Sequence, residues 1–397
     1  MNSVVVTGVG IWTAAGKGIA ANRAALEAGR SGLGELTLFD SPRCGHLPVA
    51  QVTDLEDKPR TVALGREALR EALEHAGLTA EFPRLGLTPD TLRVGLALGT
   101  CVGGMPETET AVGQMFEGEK FDEGVWNRHE CGFVSHALAT EFALTGPVTT
   151  VSAACSSSAQ AIAHGVDLLK VGAADVMIAG GADALCRLTL NGFASLLNVS
   201  AQGCRPFDAE RDGMSLGEGA AFLVLERAEA AAGRGATPLA VLAGHGNSCD
   251  SHHATAPHPD GLGAEAAMRA ALRSAGLPAS AVDYVNSHGT GTVENDRAEG
   301  RALRRLFGSD VPPVSSTKRI FGHTLGAAGA VEAVASILAL RAGFLPGDPG
   351  LRTADPACEI QPLRHAVRRS ARIVLSNSFG FGGNNSSLCI AVEPTQT

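Results

Sequence analysis

Short apolar runs alternate along the chain with stretches in which apolar residues recur at helical spacing. Val4 to Thr7, closed by Gly8-Val9-Gly10, predicts a buried strand, and a helix is expected from about Thr61 to His75, ending at Gly77. Arg93 to Gly99 predicts a strand leading into the loop GTCVGG. Residues 105–145 are expected to be largely helical, with a break at Gly146-Pro147. Val148 to Val151 predicts a short buried strand. From Ala159 the pattern turns helical, with Ile162, Val166 and Leu169 at i, i+4 and i+7. Further strands are expected at Asp175 to Ala179 and Phe222 to Glu226. Residues 30–58 and the stretch RPFDAERDGMSLGEG are expected to be loops, the second hydrogen-bonded and structural rather than metal-binding.

Past residue 238 the same order starts again. Val241-Leu242-Ala243-Gly244-His245-Gly246 echoes Val5-Val6-Thr7-Gly8-Val9-Gly10, and AMRAALRSAGL echoes ALREALEHAGL. LALGT matches VNSHGT, the helix after Cys155 matches the one after His323, Asp175 to Gly181 matches Arg372 to Ser378, and Phe222 to Glu226 matches Leu388 to Val392. Two halves of similar topology follow, 1–238 and 239–397. Strands alternating with helices imply mainly parallel sheets with crossover helices, and two such halves give a layered α/β protein. Its site is expected where equivalent loops meet.

Composition narrows the function. The 397 residues suffice for two ordinary domains or one large duplicated one. Only 4% are aromatic while 49 are glycine, which favours close packing through small side chains. A net charge of −9, with no long basic run, argues against nucleic acid. Nine cysteines are widely spaced without a CxxC pair, so neither a disulfide framework nor a structural zinc site is expected, and a reducing cytoplasm fits. The N-terminus has no basic region ahead of an apolar segment, and no apolar run of about 18 residues predicts a membrane span. A GxG follows the first strand, but Thr13 stands where a dinucleotide fingerprint would have its third glycine.

The chemistry is expected around Cys155. It lies between a strand end and a helix start, where exposed N–H groups and the helix dipole favour a thiolate, and its neighbours Ala153, Ala154, Ser156 and Ser157 are small. Three later stretches supply partners. In VNSHGTGTVENDRAEG, His288 follows a strand, with hydroxyls at Thr290 and Thr292. In VSSTKRIFGHTLGAAGAVEAV, Lys318 and His323 lie five residues apart. In LSNSFGFGGNNSS, a strand runs into a glycine loop able to aim N–H groups at a carbonyl oxygen. A nucleophilic sulfur, two imidazoles and an ammonium in one pocket suit acyl transfer onto sulfur, and neutral imidazoles can donate to an enolate oxygen as carbon dioxide leaves. The cluster Asp250, His252, His253 and His258 lacks a standard metal-ligand spacing and is expected near the active-site mouth, without metal.

With these motifs together, from about Val4 to Val392, the chain resembles the elongating β-ketoacyl-acyl-carrier-protein synthases, condensing enzymes of the thiolase fold. The likeness is carried by ACSSS, RPFDAERDG, GEGAA, HGTGT with Asp296 and Glu299, SSTK, GHTLGAAGAVEA and NSFGFGGNN. It implies an αβαβα layering and a decarboxylative Claisen condensation of an acyl thioester on Cys155 with a malonyl thioester. His288 and His323 would complete a Cys-His-His set, and Lys318 would polarise the site with Glu299 as its ion-pair partner. Cys155 and Phe381 N–H groups would form the oxyanion hole, and the Phe381 ring would gate. Thr290 and Thr292 would hold the phosphopantetheine arm, with Val102 and Phe193 lining an acyl tunnel near a dimer interface. Asp296 would give structural support. No cofactor is implied beyond the phosphopantetheine of acyl carrier protein. The implied partner besides that carrier is a second copy or a homologue resembling a chain-length factor.

A thiolase would carry a second catalytic cysteine in the NSFGFGG loop, which has none. A chain-initiating synthase would have Asn where His323 stands, and a chain-length factor would lack Cys155. The ACSSS wording resembles polyketide ketosynthases more than many fatty-acid enzymes. A non-condensing scaffold subunit is the alternative of a different class, and loss of acyl labelling at Cys155 would favour it.

Overall fold

A computed structural model describes residues 3–78 and 92–392. Ten strands form one continuous path: β1 (Val4–Thr13), β2 (Val94–Gly99), β3 (Val148–Val151), β4 (Val176–Asp183), β5 (Gly219–Arg227), β6 (Ala240–Cys249), β7 (Tyr284–Asn286), β8 (Val314–Ser315), β9 (Ile373–Gly380) and β10 (Asn384–Ala391). Their spatial order is β3-β2-β4-β5-β1-β6-β10-β9-β7-β8, with Gly16–Lys17 added beside β1. The order reads the same from either end: each first-half strand has its counterpart in the mirrored place. The helices that matter here are α1 (Gly18–Ala28), α2 (Arg60–His75), α3 (Met105–Glu117), α4 (Cys131–Glu141), α5 (Ser157–Lys170), α6 (Arg187–Ser195), α7 (Leu262–Ala275), α8 (Val293–Phe307) and α9 (Ala328–Arg341).

Three differences from the sequence expectation have physical causes. β1 does not stop at Gly8-Val9-Gly10 but runs on to Thr13. The glycines are there for contact: a Cβ on Gly8 would meet Ala72 O at 2.3 Å, and one on Gly10 would meet Ala68 O at 2.0 Å, both on α2. Gly244 and Gly246 make the same saddle under α7, with Ala271 O and Ala267 O at 2.4 and 2.3 Å. Secondly, the sheet is mixed rather than mainly parallel. The outer strands β3-β2-β4 and β9-β7-β8 are parallel, whereas β5, β1, β6 and β10 pair antiparallel with their neighbours. β4 reaches β5 through the long excursion 184–218, which returns the chain in the opposite sense. Thirdly, β3 is an edge strand with an exposed Val148, not a buried one.

The layering is the expected αβαβα. In the middle lie α5 and α9, and every residue of α9 from Ala328 to Leu340 is buried. One cluster joins Ile162, Val166 and Leu169 of α5 and Val331, Val334 and Ile337 of α9 to Val6, Leu223, Leu242, Val374 and Ile390 of the strands. Outside one sheet half, α2 and α4 pack on Ile178, Phe222 and Val224. Outside the other, α7 and α8 pack on Val285, Leu375 and Cys389. Small residues let helix backbones approach the sheet closely, and apolar burial on both helix faces holds the layers. The strand ends and the first turns of α5 and α9 therefore meet in the interior, where the candidate site lies. Among the described residues, no helix is long and apolar enough to cross a membrane.

Candidate active site

Cys155 sits between β3 and α5, in a turn held in shape by its serines. Ala153 N–H donates to Ser157 Oγ (2.8 Å), Ser157 Oγ–H donates to Ala154 O (2.6 Å), and Ser156 Oγ–H donates to Ala153 O (2.7 Å). Ala154 is held at φ +51°, in the left-handed region that non-glycine residues rarely adopt. The bend presents the sulfur beside the first turn of α5. The backbone N–H groups of Cys155 itself and of Phe381 both bear on Sγ. The expected acidic thiol is not what results: burial pushes Cys155 up to about 11, against the pull of Lys318 and those two N–H groups.

The thiol has a base at hand. His323 Nε2 lies 3.0 Å from Cys155 Sγ. Its backbone is fixed on both sides, its N–H donating to Ser215 O (2.7 Å) and its carbonyl accepting from Gly217 N–H (3.0 Å). His288 completes the set. Its ring stands edge-on to that of His323 with centroids 5.4 Å apart, and Cys155 Sγ and one nitrogen of each ring lie within 4.8 Å of one another. Burial, then the nearby Lys318 ammonium, holds both imidazoles well below the usual histidine range, so both are neutral at pH 7. Such a trio has donors suited to a soft metal ion, but the Lys318 ammonium 3.3 Å from His288 Nδ1 opposes a further cation.

The expected Lys318–Glu299 ion pair does not form. Lys318 pairs instead with Glu332, the one charged residue in the buried stretch Ala328–Leu340 of α9, and both side chains are buried. Glu299 is occupied by the His288 loop, accepting from His288 N–H (2.9 Å), Gly289 N–H (2.8 Å) and Asn377 Nδ2 (3.1 Å). Burial pushes Glu299 and Glu332 each up to about 7. Asp296 braces the same loop, accepting from Phe207 N–H (2.7 Å) and Gly291 N–H (3.3 Å) while facing Arg211 at 3.4 Å. The RPFDAERDG stretch is thus a structural loop, with Asp208 accepting from Arg352 and Thr353 N–H groups.

These groups share a cavity of about 280 Å³, lined by Cys155, His288, His323, Thr290, Thr292, Phe379, Gly380 and Phe381. Thr290 and Thr292 hydroxyls are 2.9 Å apart. Asp250, Thr255, Ala256 and Pro257 line its mouth, which puts the histidine-rich loop at the rim. Val102 and Phe193 do not line the open cavity. Val102 is buried with Leu185, Leu190 and Met214, and Phe193 packs on that cluster and against Phe381, ring centroids 5.4 Å apart. Of the two tilted rings, Phe381 lines the cavity and Phe193 does not. A larger cavity of about 1010 Å³, between Leu38, Arg60, Glu107 and Arg187, contains none of these chemical groups.

Two residues given no role from sequence belong to the site. Glu332 was signalled by a lone charge in the run GAAGAVEAVASILAL. Asp183, from the strand end GGAD, accepts from Thr100 Oγ1 (2.5 Å), Cys101 N–H, Val102 N–H and Gly326 N–H (2.7 Å). It clamps the 100–102 loop to the turn that leads from His323 into α9.

A buried thiol and two neutral imidazoles at the centre of an αβαβα fold define a condensing enzyme of the thiolase type. Residues 1–231 match the family described as beta-ketoacyl synthase, N-terminal domain, and residues 239–352 match its C-terminal domain. The chain belongs to the β-ketoacyl synthase family. It is 37% identical over 401 residues to nodulation protein E of Rhizobium meliloti (strain 1021), covering 97% of this chain and 98% of that one. It is 35% identical over 411 residues to 3-oxoacyl-[acyl-carrier-protein] synthase 2 of Coxiella burnetii (strain RSA 493 / Nine Mile phase I), covering 98% of each. Among solved structures it is similar to the ishigamide ketosynthase/chain length factor, with a TM-score of 0.91, 34% identity and 99% of each chain covered.

Proposed function

We propose that this enzyme joins an acyl group held on Cys155 to a malonyl unit on acyl carrier protein, releasing carbon dioxide and a 3-oxoacyl thioester. The observation that carries the reading is the 3.0 Å approach of His323 Nε2 to Cys155 Sγ inside a cavity shared with His288. In the first step Sγ attacks the donor thioester carbonyl. Its proton passes to His323, the tetrahedral oxygen takes the N–H groups of Cys155 and Phe381, and the pantetheine thiol leaves with a proton. In the second step the malonyl carboxylate leaves as carbon dioxide. The electron pair stays on C2 as an enolate, whose oxygen accepts from the His288 Nε2–H and from His323 once its Nε2 has taken up a proton from water. C2 then attacks the acyl carbonyl, the carbon–carbon bond forms, the carbon–sulfur bond to Cys155 breaks and the released sulfur takes the proton from His323 Nε2, restoring the thiol. Lys318 and Glu332 hold His288 neutral and oriented, while Glu299 and Asp296 fix its loop. Thr290 and Thr292 take the polar pantetheine arm, and a swing of Phe381 off Phe193 opens the way toward Val102.

The same reading makes acyl carrier protein the donor, with its phosphopantetheine as the only prosthetic group. It makes a second copy, or a homologue of the chain-length-factor kind, the other subunit. Two duplicated units, 1–238 and 239–397, are supported by the mirrored strand order. A cytoplasmic setting is supported by nine unpaired cysteines. The ACSSS sequence favours polyketide over fatty acid synthesis.

The test is mass spectrometry of the protein with a panel of acyl carriers and malonyl carrier. An acyl adduct at Cys155 and a ketone two carbons longer are expected, and Cys155→Ala must stay unloaded. Cys155→Gln must also stay unloaded while continuing to release carbon dioxide from malonyl carrier. A wild-type protein without the adduct would leave the scaffold alternative standing.

A further inference from the structure

The peptide unit joining Ala154 to Cys155 has work at both ends. Its N–H bears on Cys155 Sγ, while its carbonyl faces the loop that follows β2. A planar trans peptide holds its N–H and C=O in opposite directions, so whatever fixes the carbonyl also aims the N–H. Two side chains donate to that carbonyl oxygen. Ser157 Oγ–H reaches it at 2.6 Å and the Cys101 thiol at 3.0 Å, with Cys101 Sγ also 3.4 Å from Ser157 Oγ. Ser157 Oγ accepts from Ala153 N–H (2.8 Å), so its own proton is committed to Ala154 O. Cys101 is brought there by Asp183, which accepts its backbone N–H (3.0 Å). Burial, then the Asp183 carboxylate, pushes the Cys101 thiol well up, so it stays a donor at neutral pH. The peptide has little room to tilt. A Cβ on Gly380 would stand 3.0 Å from Cys155 N, and Ala154 is already held at φ +51°.

We infer that Cys101 and Ser157 are positioning residues for acyl transfer, which aim and strengthen the Cys155 N–H through the Ala154 carbonyl. The inference rests on the condensing function proposed above. Hydrogen bonds accepted by a carbonyl polarise the whole amide, so its N–H becomes the stronger donor. That gain is largest when the substrate oxygen carries the negative charge of the tetrahedral centre, so it favours the transition state over the bound thioester. A reaction of the Cys155 sulfur that forms no oxyanion gains nothing from it. Neither Cys101 nor Ser157 touches a reacting atom; both act through one peptide bond.

Two reagents separate this role from simple bracing of the turn. Acylation of Cys155 by a small acyl N-acetylcysteamine thioester passes through an oxyanion, whereas alkylation by iodoacetamide, followed at the Cys155 peptide, does not. Cys101→Ala removes the thiol donor and Cys101→Ser keeps a donor. Cys101→Ala is expected to slow acylation at saturating donor roughly tenfold, less than the loss of an oxyanion-hole donor outright. Its KM and its alkylation rate are expected to stay at wild-type values, and Cys101→Ser is expected to restore acylation. Ser157→Ala is expected to show the same split between the reagents; if it does not fold, the two Cys101 variants decide. Cys101→Ala acylated at the wild-type rate overturns the inference. So does a parallel fall in acylation and alkylation, or a Cys101→Ser as slow as Cys101→Ala, either of which makes Cys101 a packing residue. Wild-type protein that is alkylated but never acylated overturns the condensing function itself.

Discussion

Lys318 Nζ stands 3.3 Å from Nδ1 of His288, and that contact decides which edge of the imidazole works. An ammonium has donors only, so Nδ1 must be the bare acceptor and the ring proton must sit on Nε2, toward the cavity. Glu332 in turn holds the ammonium. Replacing Lys318 by Met keeps the volume and removes the donor. Condensation is expected to fall by about 10²-fold, the usual loss for one preorganised donor. Breaking the buried pair is expected to cost about 3 kcal/mol in stability near pH 8, because Glu332 loses the ammonium that holds its carboxyl down against burial and must take up a proton in the fold. The added change Glu332→Gln is expected to restore most of the stability but not the rate. Denaturant melts and malonyl-dependent product formation separate the two effects.

His323 faces a thiol that burial has pushed up to about 11. The resting pair is therefore a neutral thiol beside a neutral imidazole, not a thiolate–imidazolium pair. Peptide-resolved alkylation of Cys155 by iodoacetamide is expected to keep rising from pH 6 to beyond pH 9, without the neutral-pH plateau of an acidic catalytic cysteine. His323→Ala is expected to impair condensation by about 10² to 10⁴-fold, the range for a positioned general base, with little change in thermal midpoint. A plateau near pH 7, or an unimpaired variant, would contradict the assigned role.

The parts of this molecule visible in sequence are those that repeat or punctuate. Gly8 and Gly10 against Gly244 and Gly246 mark two equivalent halves, although the reason for the glycines, helix contact rather than a turn, emerges only from the packed fold. Cys155, His288, Lys318 and His323 are legible because each stands in a small-residue loop at an element end. Ion-pair partners are not. Glu299 lies near His288 in sequence and the family resemblance matches it to Lys318, yet three N–H donors claim it. Glu332 reaches Lys318 across a layer boundary, and only packing brings them together. Strand direction is hidden for a similar reason: periodicity shows that a strand exists, not which neighbour it meets.

Glu299 also links the site to stability. Its folded value, about 7, lies above the ordinary 4.5, so the fold prefers the neutral acid. A raised value means that this contribution is fully present below about pH 4.5 and is lost as pH rises through 7. Glu299→Gln cannot titrate. The difference in thermal midpoint between wild type and Glu299→Gln is therefore expected to be flat below about pH 4.5 and to move in the variant's favour up to about pH 7.5. A difference independent of pH throughout would show that burial leaves the Glu299 carboxyl at its ordinary, unfolded value.

Asp183 makes the strongest claim on a residue that touches no reacting atom. Its two oxygens take Thr100, Cys101, Val102 and Gly326, and an asparagine offers one acceptor oxygen and sets an NH₂ against N–H groups. Each unmet buried donor costs about 1–3 kcal/mol, so Asp183→Asn is expected to lose several kcal/mol of stability. The Gly326 end of the clamp lies three residues beyond His323, so loosening it shifts the imidazole relative to Cys155 Sγ. Misplacement by about 1 Å can cost 10²-fold in rate. A positioning role is expected to show as slower Cys155 acylation with an unchanged KM for the small thioester donor. Stability loss alone, with wild-type acylation in the folded fraction, would reduce Asp183 to a structural clamp.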